Sequence, residues 1–448
     1  MKDLTKGKPS SLILSFAFPI FLANLLQLTY SLADTRIVGS FLGEDALAAV
    51  GSTSTVSNLI IGFLLGLANG FAIITAQRFG AKDIKGMKKS FAASILLGTG
   101  ISIVLTVLGM IFKNTLLGFL NVPHNLYGEA GAYIFIIIAG MTATFLYDSC
   151  AAVLRSLGDT ITPLIILLVS VALNIIGDLF LVVVLKSGVR GAAIATVLAQ
   201  IIAFVICFVY MFKKYEILRL TKSDFTALDG NLVRNMLGSG LSMGFMSSLV
   251  NIGSLTLQTA INKLGQDIIV AHTAARKISE MFMIMFTVFG QTMATYCGQN
   301  MGAGRIDRVK TGIKSALIYT CSWCVLTVIA SYTIGDWLIY LVTGSNNENV
   351  IRNAVNYLKF DTVFYFVTAF ICILRNAMQG LGEHIIPLVS SSLEMVGKII
   401  IAATLVPWLG YAGVIVAEPV VWFIMVIPLI IQILKMIPVL EKQYGSPV

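Results

Sequence analysis

About twelve long apolar runs joined by short polar loops dominate this chain, and lipid is the only solvent consistent with such a pattern. A helix needs roughly 20 apolar residues to cross the hydrocarbon layer. Hydropathy places runs of that kind near residues 12–36, 46–77, 90–112, 128–153, 160–185, 190–212, 235–262, 268–298, 312–342, 353–376, 385–405 and 411–436. With 57% of the 448 residues hydrophobic and 12% charged, little chain is left for a soluble domain. The formal charge of +9 does not point to nucleic acid, because the basic residues lie in short loops rather than on a polar domain face. Lys2, Lys6 and Lys8 ahead of a run ending at Ser31, Leu32 and Ala33 imitate a secretory signal. That run is too long for one, and it contains Pro19, Asn24 and Gln27. The six cysteines, including Cys321 and Cys324 within one span, read as small membrane residues. His124, His272 and His384 are dispersed, and no phosphate-binding glycine loop or metal-spaced cluster accompanies them. Neither an enzyme nor an ATP-driven pump is expected, and no cofactor is called for.

Assigning loops alternately to the two faces puts twenty-one of the 31 lysines and arginines on one face. The positive-inside rule makes that face cytoplasmic, with both termini on it, in a multi-pass protein of the cell (inner) membrane. The chain also repeats itself. Residues 42–51 read LGEDALAAVG and 264–273 read LGQDIIVAHT; at the same separation, 76–83 read AQRFGAKD and 298–305 read GQNMGAGR. A third pair, LRSLGDTITPL at 154–164 and MQGLGEHIIPL at 378–388, follows the fourth and tenth spans. The expected fold is therefore an all-α polytopic membrane protein, with twelve transmembrane helices in two pseudo-symmetric six-helix lobes around a central cavity. Residues 1–214 form the amino-terminal lobe, 215–233 a cytoplasmic linker and 234–448 the carboxy-terminal lobe. Since six spans is an even number, the lobes are related by an axis along the membrane normal. Gly62, Gly66 and Gly70, spaced by four in the second span, suit close helix packing.

An ionisable group facing lipid is costly, so acids within spans mark candidate sites. They are Asp34, Asp148, Asp178, Glu280, Asp361, Glu394 and Glu418. Asn24, Gln27, Ser31 and Asp34 share one face of the first span. Asn174 and Asp178 stack four apart in the fifth, as do Thr196 and Gln200 in the sixth. Two carboxylates meeting amide and hydroxyl oxygens can hold a proton or ligate Na+; the same groups would also serve as plain inter-helix hydrogen bonds. In the seventh span Ser247, Asn251, Ser254 and Gln258 form an uncharged polar stripe, and the eighth is rich in methionine and phenylalanine, Met285 among them. Packing is an alternative use for both. Glu394 and Lys398, four apart, suit a structural ion pair, and Glu280 follows Arg276 and Lys277 by one turn. Arg36 is too close in sequence to Asp34 to face it along a helix.

The run ADTRIVGSFLGEDALAAVG after Pro19, with AQRFGAKD, LRSLGDTITP and GQNMGAGR, resembles the multidrug and toxic compound extrusion (MATE) transporters over nearly the whole chain. The resemblance implies an ion-coupled antiporter, driven by H+ or Na+, that exports small cationic, amphiphilic organic compounds from the bilayer-embedded, monomeric protein. It implies coupling residues Asp34, Asn174, Asp178 and Thr196, which would be the metal ligands if the ion is Na+. Candidate substrate-cavity residues are Asn24, Gln27, Tyr30, Ser31, Gln200, Asn251, Ser254, Gln258 and Met285. Several members of the family carry a second acidic site on spans seven and ten. Here SSLVNIGSLTLQTAIN and FYFVTAFICILRNAMQ hold no acid, so coupling is expected in the amino-terminal lobe alone. A flippase for lipid-linked oligosaccharide precursors is the alternative; it would need several cavity cations, for which only Arg276, Lys277 and Lys398 are available.

Overall fold

A computed structural model describes residues 2–119, 122–123, 126–226, 228–344 and 347–444; His124 lies outside them. Among the described residues the regular structure is entirely helical. The helices are α1 (Pro9–Leu42), α2 (Glu44–Gly80), α3 (Ile84–Ile111), α4 (Lys113–Phe119), α5 (Tyr127–Ser156), α6 (Ile161–Asp178), α7 (Gly188–Lys214) and α8 (Lys222–Thr226). They continue with α9 (Gly230–Ile261), α10 (Gln266–Gly302), α11 (Ile306–Thr333), α12 (Gly335–Thr343), α13 (Glu348–Val363), α14 (Tyr365–Gly380), α15 (Ile385–Leu409) and α16 (Tyr411–Tyr444). Among the described residues, ten helices are long and apolar enough to cross a membrane, and α13 with α14, bent by 52°, makes an eleventh span. The twelfth is α10, 37 residues long, whose first half carries Asp267, Arg276, Lys277 and Glu280. The twelve expected spans are thus present, with two refinements: the ninth ends in the separate short helix α12, and the tenth is broken at Phe364.

The repeated motifs have a common physical cause, which is backbone that must turn through the left-handed region between two helices. Gly43 (φ 90) ahead of α2 is matched by Gly265 (φ 102) ahead of α10, and Gly158 (φ 83) after α5 by Gly382 (φ 90) after α14. In each of the latter turns the acid after the glycine caps the next helix. Asp159 accepts from the Thr162 backbone N–H at 3.0 Å, and Glu383 from those of Ile385 at 2.9 Å and Ile386 at 3.2 Å. The turn after α2 departs from its counterpart, because Lys82 (φ 58) stands where the other copy has Gly304 (φ 69). A side chain in that conformation is strained by about 1 kcal/mol, partly offset by the backbone freedom glycine brings to the unfolded chain. Lys82→Gly is therefore expected to raise stability by about 0.5 kcal/mol and Gly304→Lys to lower it by about the same amount; thermal melts of both variants in one detergent check the opposite signs.

The chain divides into two compact units, one of Met1–Asp3 and Phe18–Gly244, the other of Leu4–Ala17 and Phe245–Val448. In the first, Leu64, Leu67 and Phe71 of α2 pack with Ile134, Ile138 and Phe145 of α5 and Met236 of α9. A Cβ on Gly66 would lie 2.5 Å from the Met243 carbonyl oxygen, and one on Gly70 2.5 Å from that of Ser239, so backbone touches backbone here as the spacing implied. In the second, the segment before α1 is clamped by Arg308. Its guanidinium donates to the carbonyls of Gly7 at 2.8 Å and Leu4 at 3.1 Å and to Asn300 Oδ1 at 3.0 Å, while the Leu4 N–H donates to Gln299 Oε1 at 2.9 Å.

Asp159 also ties the segment after α7 to the turn after α5 by accepting from the Tyr215 hydroxyl, and it accepts from Thr162 Oγ1 at 2.7 Å. Burial would raise this carboxyl, but the hydrogen bonds from Tyr215 and Thr162, with Lys214 nearby, hold it below its ordinary value. A depressed carboxyl stabilises the fold above its unfolded value and stops doing so as pH falls through the folded one. The stability gap between wild type and Asp159→Asn is accordingly expected to be full at neutral pH and to close on acidification below the ordinary carboxylate range. A gap that does not vary with pH across that window would remove this role.

Candidate functional site

In the first unit Tyr30 and Asp34 of α1 meet residues of α7 and α6. Asp178 is fully buried at the last position of α6, and the helix continues from it as a π-helical turn, Leu179–Val184. Such turns widen the helix and free a carbonyl position, and they recur at functional sites. The Asp34 carboxyl of α1 is a hydrogen-bonding neighbour of Asp178. The Asn174 amide, one turn earlier in α6, donates to Asp178 Oδ2 at 2.8 Å; its oxygen accepts from the Thr196 hydroxyl at 3.1 Å and backbone N–H at 3.0 Å. Tyr30 Oη lies 3.4 Å from Thr196 Oγ1. One oxygen of each acid, Asp34 Oδ1 and Asp178 Oδ1, is buried without a hydrogen-bond partner. Two adjacent carboxyls with two unsatisfied oxygens, beside an amide and a hydroxyl, make a site lined by oxygen acceptors that lack donors. It can be satisfied by a proton between the acids or by a small cation that takes oxygen ligands. No group of three or more His, Cys, Asp or Glu among the described residues forms a transition-metal site.

Asp34, Asn174, Asp178 and Thr196 are thus gathered in one place, and Tyr30 joins them. Tyr133 of α5 is a sixth member, within electrostatic range of both acids; a tyrosine amid apolar neighbours gives no periodic signal by which to find it. Gln200 sits one turn along α7 from Thr196, with a buried Oε1 that has no partner. Gln27 and Ser31 are exposed on α1, while Asn24 is half-buried and turned back on its own helix, donating to the Ile20 carbonyl at 2.8 Å. Arg36 is exposed and makes no ion pair with Asp34.

The second unit holds a larger charged cluster than its sequence suggested. Arg276 of α10 donates to both oxygens of Glu418 in α16, at 2.9 and 3.1 Å. Lys398 of α15 contacts Glu394 at 2.9 Å and Glu418 at 3.6 Å, and Tyr357 of α13 donates to Glu418 at 3.2 Å. The expected Glu394–Lys398 pair is present as one edge of this network. The one-turn partnership of Glu280 with Arg276 is corrected: Glu280 is exposed, and the guanidinium turns inward to the buried Glu418. In the tenth span the stretch after the break holds no acid, as expected, while Asp361, one of the acids named among the spans, precedes the break. Because that span breaks at Phe364, Asp361 is carried inside the unit near the break, fully buried, with Ser279 Oγ at 3.5 Å and its Oδ1 unpartnered. Tyr357 and Asp361 are four apart on α13, a stacking visible in the sequence once the break is known. Of the cavity candidates here, Asn251 is exposed, Ser254 accepts from Lys398 at 3.2 Å, and Gln258 donates to Asn262 at 2.9 Å. Met285 is half-buried on α10.

A sequence-family model described as MatE matches residues 19–180 and 242–404. The chain is 28% identical over 417 residues to the probable multidrug resistance protein YpnP of Bacillus subtilis, covering 92% of each. It is 22% identical over 388 residues to the probable multidrug resistance protein NorM of Thermotoga maritima, covering 86% of this chain and 82% of that one. Among solved structures, one described as MATE in the bent conformation superposes with a TM-score of 0.91 at 22% identity, over 99% of this chain and 98% of the other.

Proposed function

Because the chain belongs to the MatE family, the multidrug and toxic compound extrusion transporters, we propose that it exports cationic, amphiphilic organic compounds by antiport against H+ or Na+. The observation that carries this reading is the Asp34–Asp178 pair, with two buried carboxyl oxygens unpartnered inside a membrane span. An inward-moving H+ or Na+ binds the pair and lowers its negative charge by one. Its arrival alters which packing of α1 against α6 and α7 is favoured, so ion occupancy biases a two-state element. Asn174 and Thr196 orient the Asp178 carboxyl, and Tyr30 closes the site on the α1 side. Asp361 is a second candidate coupling acid, favoured by its own unpartnered oxygen in the other unit. The protein acts as a monomer with both termini cytoplasmic.

The flippase reading loses support from the cation inventory. Arg276 and Lys398 are held by Glu418 and Glu394, which leaves Lys277 alone of the three to bind a pyrophosphate. The deciding experiment is dye uptake into proteoliposomes under a pH gradient or a Na+ gradient imposed separately. Antiport is expected with one of them; dye movement with neither, alongside transfer of a lipid-linked precursor, overturns the proposal.

A further inference from the structure

A groove of about 590 Å³ runs between α11 and α16 in the second unit. Its floor is apolar, built from side chains that include Ile318, Leu434 and Ile437, and two of them stand open, Ile318 at 55% and Leu434 at 68% exposure. Its polar end holds Lys310, Lys314 and Glu441. Lys310 and Glu441 neutralise each other at 2.9 Å. Lys314, one turn further along α11 toward the apolar floor, is exposed and has no protein partner among the described residues. An ammonium at the edge of the hydrocarbon layer needs a counter-charge at the depth of lipid phosphates, and a basic pocket between spans is the usual way a membrane protein holds an acidic headgroup.

We propose that this groove is a binding site for one anionic phospholipid, whose phosphodiester sits on Lys314 and whose acyl chains lie along the α11–α16 floor. The charge count selects the class. With Glu441 already engaged by Lys310, the mouth has one cation to spare and no free carboxylate for the ammonium of a zwitterionic headgroup, so a phosphatidylglycerol-type lipid fits better than phosphatidylethanolamine or phosphatidylcholine. Nothing in this depends on which ion or compound the protein moves.

The test uses full-length protein reconstituted in bilayers of equal phosphatidylglycerol, phosphatidylethanolamine and phosphatidylcholine, re-extracted in mild detergent, with the retained lipid quantified by mass spectrometry. Wild type is expected to retain about five times as much phosphatidylglycerol as either of the other two lipids, the worth of one lysine at the membrane surface. Lys314→Gln returns the retained lipid to bilayer proportions, and Ile437→Trp, which fills the floor, lowers the amount retained. Lys435→Gln, an exposed basic residue on α16 outside the groove lining, leaves the enrichment in place. Retention in bilayer proportions by wild type, enrichment that survives Lys314→Gln, or an equal loss in Lys435→Gln overturns the site.

Discussion

Proteoliposomes carrying Asp34→Asn or Asp178→Asn are expected to lose uphill dye accumulation altogether while remaining folded. One-for-one exchange of a singly charged dye for H+ or Na+ moves no net charge, so the imposed ion gradient drives it, and a tenfold gradient supplies about 1.4 kcal/mol, equivalent to an accumulation ratio of about ten-fold. A variant without the coupling group settles near a ratio of one. Asparagine keeps the shape of the side chain and an oxygen that can accept the Asn174 amide hydrogen bond, so the packing of α1, α6 and α7 is retained. The charge that attracts the ion is what disappears. Thr196→Val, which removes one hydroxyl ligand but neither acid, is expected to weaken coupling without abolishing it. Accumulation at the wild-type ratio in both aspartate variants would falsify the coupling role of this pair, whatever Asp361 then proves to do.

Glu418→Ala carries the largest expected stability loss, about 3–5 kcal/mol, because it strands the Arg276 guanidinium in a membrane interior and leaves Lys398 with Glu394 alone. Glu418 is 4% exposed and holds Arg276, Lys398 and the Tyr357 hydroxyl at once. Removing Glu394 is milder, since Lys398 keeps Glu418 as a partner. Glu418→Gln lies between the two, retaining an acceptor for Tyr357 and Arg276 but no charge. Trp422, one turn along α16 and 5% exposed, reports the transition by its fluorescence in a thermal melt. The ranking Glu418→Ala, then Glu418→Gln, then Glu394→Ala is the checkable result. A Glu418→Ala melt indistinguishable from wild type would mean that water reaches the cluster and already screens it.

The spans, their number and the duplication were legible from one dimension, because the hydrocarbon thickness sets a minimum apolar length and a repeated turn needs the same left-handed residue in each copy. The Gly43–Gly265 and Gly158–Gly382 matches are of this kind. The grouping of Asp34, Asn174, Asp178 and Thr196 was legible only with the family resemblance added: helical periodicity puts each pair on one face but says nothing about which faces meet. Asp361 was visible as an acid within the tenth span, but its place beside the break was not, because a 52° bend leaves no compositional trace. Arg276 was paired by proximity along its own helix, whereas the residue that neutralises it lies 142 positions away.

The amino-acid sequence by itself determined that this protein lives in lipid, crosses it about twelve times and carries two copies of one unit, since transfer free energy is a property of composition and length. Only the tertiary structure decided which buried charges neutralise one another and which are left with an unfilled oxygen. Electrostatic pairing at about 3 Å depends on where separate helices come together, and hydropathy along the chain holds no record of that.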